Sequence, residues 1–173
     1  MTTPQAICVA LYAVSFALLF CAAIISLGKF TKFNGLILLC FGISTCCGSE
    51  FNLLTNLAWI ESRNNDLAVG DKGRALGRYQ MTEAAWCDVS ALRKRQGLPI
   101  YEWQAAHDPG IAREYACQYL GILSRQLRAA LRRPPTDAEL YCSYNLGFTG
   151  FQKRSFSLTT CPPATRRAAE RMK

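Results

Sequence analysis

No charged side chain occurs between Met1 and Lys29, and within that stretch residues 6–27 read A-I-C-V-A-L-Y-A-V-S-F-A-L-L-F-C-A-A-I-I-S-L. An uncharged run of this length satisfies the roughly 20 residues that a bilayer-spanning helix requires. A cleaved signal peptide is the alternative, with Ser26 and Gly28 as small residues near a cleavage site. The run exceeds the usual apolar core of about 7 to 15 residues, however, and no basic residue precedes it, which favours a retained anchor. A second uncharged stretch, residues 33–49, is interrupted by Gly35, Gly42 and Gly48 and is marginal as a span. If both insert, Lys29 and Lys32 occupy the tight connection, and the positive-inside rule puts that connection in the cytoplasm. Residues 1–48 therefore read as an anchor or signal region, with the remainder on the periplasmic or extracellular side of a cell envelope.

A chain of 173 residues leaves room beyond that region for one ordinary domain. The net charge of +8 favours an anionic partner such as a lipid surface or an acidic wall polymer. Nucleic acid is not favoured, because no recognised module interleaves aromatics with the basic clusters at 93–95, 125–133 and 166–173. Gly70-Asp71-Lys72-Gly73 lacks the G-K-[ST] continuation and the preceding strand of a phosphate loop. Of nine cysteines, Cys87, Cys117, Cys142 and Cys161 lie beyond the apolar region. In an exported domain these four allow two disulfides in any of three connectivities; the alternative is four small buried hydrophobes. With no C-x-x-C pair and His107 as the single histidine, a zinc site is disfavoured.

From residue 49 the periodicity becomes helical. Phe51, Leu54, Leu57 and Ala58 share one face of a helix that ends near Glu61. Residues 64–78 hold Gly70, Gly73 and Gly77 among polar side chains, which predicts an ordered loop or short hairpin. Thr82 is placed to cap a helix over about 82–95. Asp108-Pro109 opens another that runs to about 131, with Ile111, Tyr115, Leu120, Leu123 and Leu127 inward. Pro134-Pro135 stops it, and Thr136-Asp137-Ala138-Glu139 is a capping box for a helix to about 145. The expected fold is mainly α with a short loop or β-hairpin. The Arg-rich residues 156–173 form an extension that packs on the domain or trails from it.

Cleaving a glycosidic bond needs a proton donor, and a carboxyl supplies one near neutral pH only when burial raises its pKa. Glu61 ends an apolar helix beside Trp59 and Ile60, directly before a loop of residues able to hydrogen-bond a sugar. The ordinary alternative is a solvated glutamate at a helix end.

Three separated pieces distinguish these readings. They are Glu61-Ser62 with Asn65 and Ala68, then residues 73–81 (G-R-A-L-G-R-Y-Q-M), then Ser143-Tyr144-Asn145-Leu146-Gly147. In this order they resemble the E-S-x-x-N-x-x-A, glycine-rich G-x-x-Q and A-Y-N-x-G motifs of the lytic transglycosylase branch of the lysozyme-like superfamily. Asp108-Pro109 with Ile111, Tyr119 and Leu120 is similar to a further helix of many members. The resemblance covers roughly residues 50–150. Asp66 stands where that family has proline, Asn64 where an aromatic often sits, and the turn before Gln80 is a residue longer.

The resemblance implies a lysozyme-like catalytic domain at 49–155 that cleaves the β-1,4 bond between N-acetylmuramic acid and N-acetylglucosamine in peptidoglycan, without a cofactor. Glu61 is implied as the general acid and then base, Ser62 as orienting its carboxyl or the substrate N-acetyl group, and Gln80, Tyr144 and Asn145 as substrate-binding. The implied partners are glycan strands, the membrane through the N-terminal segment, and envelope-spanning machinery. Non-hydrolytic transglycosylation needs no second carboxylate. A lysozyme-type hydrolase does, with Asp66, Asp71, Glu83 and Asp88 as candidates. A non-catalytic peptidoglycan-binding envelope component is the alternative from another class.

Overall fold

The computed structural model describes residues 49–172; the apolar stretch 6–27 and nearly all of 33–49 lie outside them. Among the described residues, no helix is long and apolar enough to cross a membrane. They form six α-helices and one small antiparallel sheet, in the order α1 (Ser49–Ser62), β1 (Val69–Gly70), β2 (Ala75–Leu76), β3 (Met81–Thr82), α2 (Glu83–Arg95), α3 (Pro109–Leu131), α4 (Asp137–Leu146), α5 (Phe148–Gln152) and α6 (Pro163–Ala169). The expected mainly helical architecture with a hairpin-like insertion is present. The insertion is a three-stranded meander, with Val69 opposite Leu76 and Leu76 opposite Met81.

The helix starts follow their chemistry. Thr82 accepts from Ala85 N at 3.3 Å and caps α2. Asp108 Oδ1 accepts from the Gly110 and Ile111 amides, both at 2.9 Å, ahead of Pro109 in the first turn of α3. Thr136 and Glu139 close the capping box of α4, and the Arg133 guanidinium forks onto the Glu139 carboxylate at 2.9 and 2.6 Å. That ion pair holds the Glu139 carboxyl below the usual carboxylate range.

The core is built around α3, where Tyr115, Ala116, Leu123 and Leu127 are fully enclosed. Leu54, Leu57 and Ala58 of α1 are buried as their spacing predicts. Trp86 of α2 stacks on Tyr115 with ring centroids 3.7 Å apart. Arg93 is no part of a basic surface. It is 3% exposed, donates to Pro99 O at 2.6 Å and to Glu114 at 3.1 Å, and lies over the Tyr101 and Tyr115 rings. Its long stem and planar head fill a core position that a charge count alone assigns to solvent.

Among the described residues, no disulfide joins Cys87, Cys117, Cys142 and Cys161 to one another. Cys87 is exposed on α2, while Cys142 and Cys161 are enclosed side by side, and burial together with the neighbouring thiol pushes Cys142 up to about 12. Residues 156–172 pack on the domain: α6 buries Thr165, Ala168 and Ala169, and Met172 beyond it is 1% exposed.

Candidate active site

A cavity of about 300 Å³ opens between the end of α1, the sheet, α3 and the end of α4. Its walls include Glu61, Asp71, Gln80, Tyr119, Tyr144 and Asn145. Sequence elements 84 residues apart therefore converge on one cleft, since Glu61 and Asn145 share it. Four of the five expected site residues line it.

Glu61 occupies the penultimate position of α1. Burial raises its pKa above the ordinary carboxylate range, and a hydrogen bond from the Tyr141 hydroxyl partly offsets that rise. Its Oε1 is buried and meets no hydrogen-bond partner within the described residues. The shelter does not come from Trp59, which is 59% exposed on the outer face of α1. On α4, Tyr141 and Tyr144 stand one helical turn apart and both feel the Glu61 carboxyl, which raises their own pKa values along with burial.

The fifth expected residue, Ser62, stands behind the wall. Its hydroxyl donates to Arg78 O at 2.7 Å and accepts from Asn65 N at 3.0 Å, so it clasps the helix end to the meander. Asp66 accepts a two-pronged ion pair from Arg78 at 2.7 and 3.0 Å. His107 Nδ1 lies 2.9 Å from Asp66 O. These bonds hold the longer loop in place.

Gln80 is held in the left-handed region at φ 48°, and its Nε2 donates to Gly77 O at 2.9 Å and Ala68 O at 3.3 Å. Arg63, Asn64, Asp71 and Lys72 also have positive φ. Backbone of this kind costs energy in non-glycine residues and concentrates where a fixed side-chain direction is needed. The Tyr144 hydroxyl donates to Tyr79 O at 2.7 Å, and its ring packs edge-on against Tyr119 at 5.5 Å. Asn145 Oδ1 accepts from Thr165 Oγ1 at 2.8 Å, so the C-terminal segment orients a cleft residue.

Of the four candidate second carboxylates, Asp71 alone lines this cavity; it is exposed and paired with Arg74 at 2.8 Å. Asp88 lines a neighbouring cavity of about 290 Å³ that shares Tyr119. Sequence reasoning missed Tyr141 and Thr165. Tyr141 was accessible, because i and i+3 on a helix share a face and Tyr144 was already assigned to the cleft. Thr165 gave no local signal.

No protein-family model, curated protein or solved structure matches this chain.

Proposed function

We propose that the domain cleaves peptidoglycan glycan strands in this cleft, with Glu61 as the acid that protonates the glycosidic oxygen and the base that follows. One observation carries the reading. A carboxyl whose pKa burial raises, with one oxygen that meets no hydrogen-bond partner among the described residues, lines a polar groove that also holds Gln80, Tyr144 and Asn145. A general acid needs a raised pKa and a place in the wall of the substrate cleft. The lysozyme-like resemblance of residues 50–150 supports the same assignment, through motifs that fall around one cavity.

Glu61 donates its proton as the bond to the leaving sugar breaks. The muramic acid C6 hydroxyl then attacks its own anomeric carbon and returns a proton to the same carboxylate, giving a 1,6-anhydro end. Asn145, accepting from Thr165 through Oδ1, keeps its amide N–H donors for the sugar. Asp71 favours a second reading, hydrolysis, in which that carboxylate activates water. Its ion pair with Arg74 and its exposure suit it less well to a base's role. In either case the activity belongs at a cell envelope, where the apolar N-terminal segment tethers the enzyme.

The test is incubation of the full chain with purified sacculi and mass analysis of what is released. Soluble muropeptides with anhydro ends are expected, and none from Glu61→Gln. Reducing ends would select the hydrolytic route. Turnover by Glu61→Gln would overturn the assignment.

A further inference from the structure

We infer that the end of the domain where α1 begins is a membrane-docking surface, and that the apolar groove there seats an anionic phospholipid, its phosphate on Arg125 and Arg128 and its acyl chain among leucines. This rests on the membrane tether proposed above. It adds a second contact, made by the globular domain itself, toward the end of α1 away from Glu61.

The groove encloses about 430 Å³ between α1, α3 and α4, within the range of about 300 to 1,000 Å³ over which protein pockets hold small ligands. Its floor is Leu53, Leu54, Leu120 and Leu140, each 8% exposed or less. Spacing along α3 explains the rest. Positions 117, 121, 124 and 128 recur every three or four residues and so fall on one face. Gly121 leaves that face open: a Cβ there would lie 3.7 Å from Nη1 of Arg125, so this guanidinium leans back over the glycine at the groove mouth. Arg128 lines the same cavity, and both arginines are exposed. Among the described residues, neither guanidinium has an ion-pair or hydrogen-bond partner. Two like charges one turn apart repel, and an anion held between them removes that cost.

The other charged group of the groove is Asp137, exposed in the first turn of α4, where the helix N-terminus favours a carboxylate. It pairs with neither arginine. The lining therefore carries two positive charges against one negative, with leucines behind them. An acidic wall polymer would meet the charges and leave the leucines unused. A phospholipid uses both, because an anionic headgroup surface attracts each arginine that nears it while an acyl chain gains by burial on the apolar floor. The course of the chain favours a bilayer over a partner helix. Leu53 and Leu54 stand in the opening turns of α1, so the groove is built on the first turns to follow the uncharged stretch 33–49.

The experiment reconstitutes the full chain in phosphatidylcholine vesicles that carry phosphatidylglycerol with a photoactivatable diazirine in its acyl chain, and maps the crosslinked residues by mass spectrometry. Crosslinks to the groove leucines are expected beside those within residues 1–48. Replacing both exposed arginines, Arg125→Gln with Arg128→Gln, should cut the groove crosslinks about tenfold and leave the others unchanged. The same diazirine chain on phosphatidylcholine should label the groove about tenfold less than on phosphatidylglycerol. Gly121→Leu should abolish groove labelling by filling the space, in a chain that melts no lower than the native one, because leucine is the better helix former. Labelling confined to residues 1–48 would overturn the inference, leaving the groove to a protein helix and the tether intact. A chain that does not associate with the vesicles would remove both. Native labelling in the double arginine variant, or equal labelling by the two lipids, would overturn the inference as well. Competition by inorganic phosphate at the lipid's own concentration would mark a free-anion site instead, and groove labelling lost as protein is raised against lipid would assign the surface to a second copy; either result overturns it.

Discussion

The hydroxyl of Tyr144 donates to the carbonyl oxygen of Tyr79 at 2.7 Å and so ties the middle of α4 to the turn that presents Gln80. Tyr144 is thereby a strut between the two halves of the cleft as well as part of its wall. Tyr144→Phe removes the donor and leaves a carbonyl beside a buried ring without it. The expected loss is about 1 to 2 kcal/mol in urea unfolding. Because Gln80 follows Tyr79 directly, kcat/KM on glycan strands should also fall about tenfold. A variant with full stability and full activity would show that the turn holds its own shape.

Glu61→Gln is expected to stabilise the domain at neutral pH while removing activity. Burial raises the carboxyl's pKa, so the folded chain holds that proton more tightly than the unfolded chain does. Stability is then lost as pH climbs from the ordinary carboxylate value through the raised one. An amide carries no such penalty. The variant should melt higher than the native chain at pH 7 and converge with it below about pH 4, each kcal/mol being worth roughly 4 °C in a domain of this size. A variant that melts lower at pH 7 would show that the charged carboxylate makes favourable contacts.

The helices of this domain were legible because each carries local instructions: Thr82, Asp108-Pro109 and the Thr136–Glu139 box mark starts that need no tertiary information. The Glu61, Gln80 and Tyr144 convergence was legible through motif order. Where reading failed, the missing information was long-range. Trp59 neighbours Glu61 in sequence, yet helical geometry turns it outward, and a tyrosine 80 residues on, Tyr141, acts on the carboxyl instead. Arg93 looks like one of three surface cations until Glu114 and Pro99 O enclose it. The two α1-facing tyrosines differ in the same way. Tyr144 sits in a motif, whereas Tyr141 becomes visible only when the helix is drawn.

Two glycines of the meander separate stability from chemistry. Gly77 has φ +73°, and a Cβ there would collide with the backbone carbonyl of Ala106, which cannot yield. Gly77→Ala should therefore cost roughly 3 kcal/mol or more through backbone strain and overpacking. At Gly70 the colliding atom is the Oε1 end of the flexible Gln80 side chain. Gly70→Ala should cost less than about 1 kcal/mol but displace the Gln80 amide, with kcat/KM falling about tenfold. Thermal melts and glycan-strand kinetics on both variants check the contrast. Equal destabilisation would show that Gln80 is as rigidly fixed as the Ala106 backbone.

Thr165→Val tests whether the C-terminal segment belongs to the active site. Thr165 is 6% exposed on α6, and its hydroxyl donates to Asn145 Oδ1 at 2.8 Å. Valine preserves the branched shape but removes the donor, so Asn145, which is exposed on its cleft side, loses the contact that fixes its amide plane. The energy at stake is that of one neutral hydrogen bond, about 1 kcal/mol, shared between the fold and the orientation of a ligand-binding group. KM for glycan strands should rise several-fold. The pH profile should stay where it is, because neither Thr165 nor Asn145 is bonded to Glu61 and the proton on that carboxyl is untouched. An unchanged KM in Thr165→Val would place Asn145 outside substrate contact and reduce α6 to a packing element.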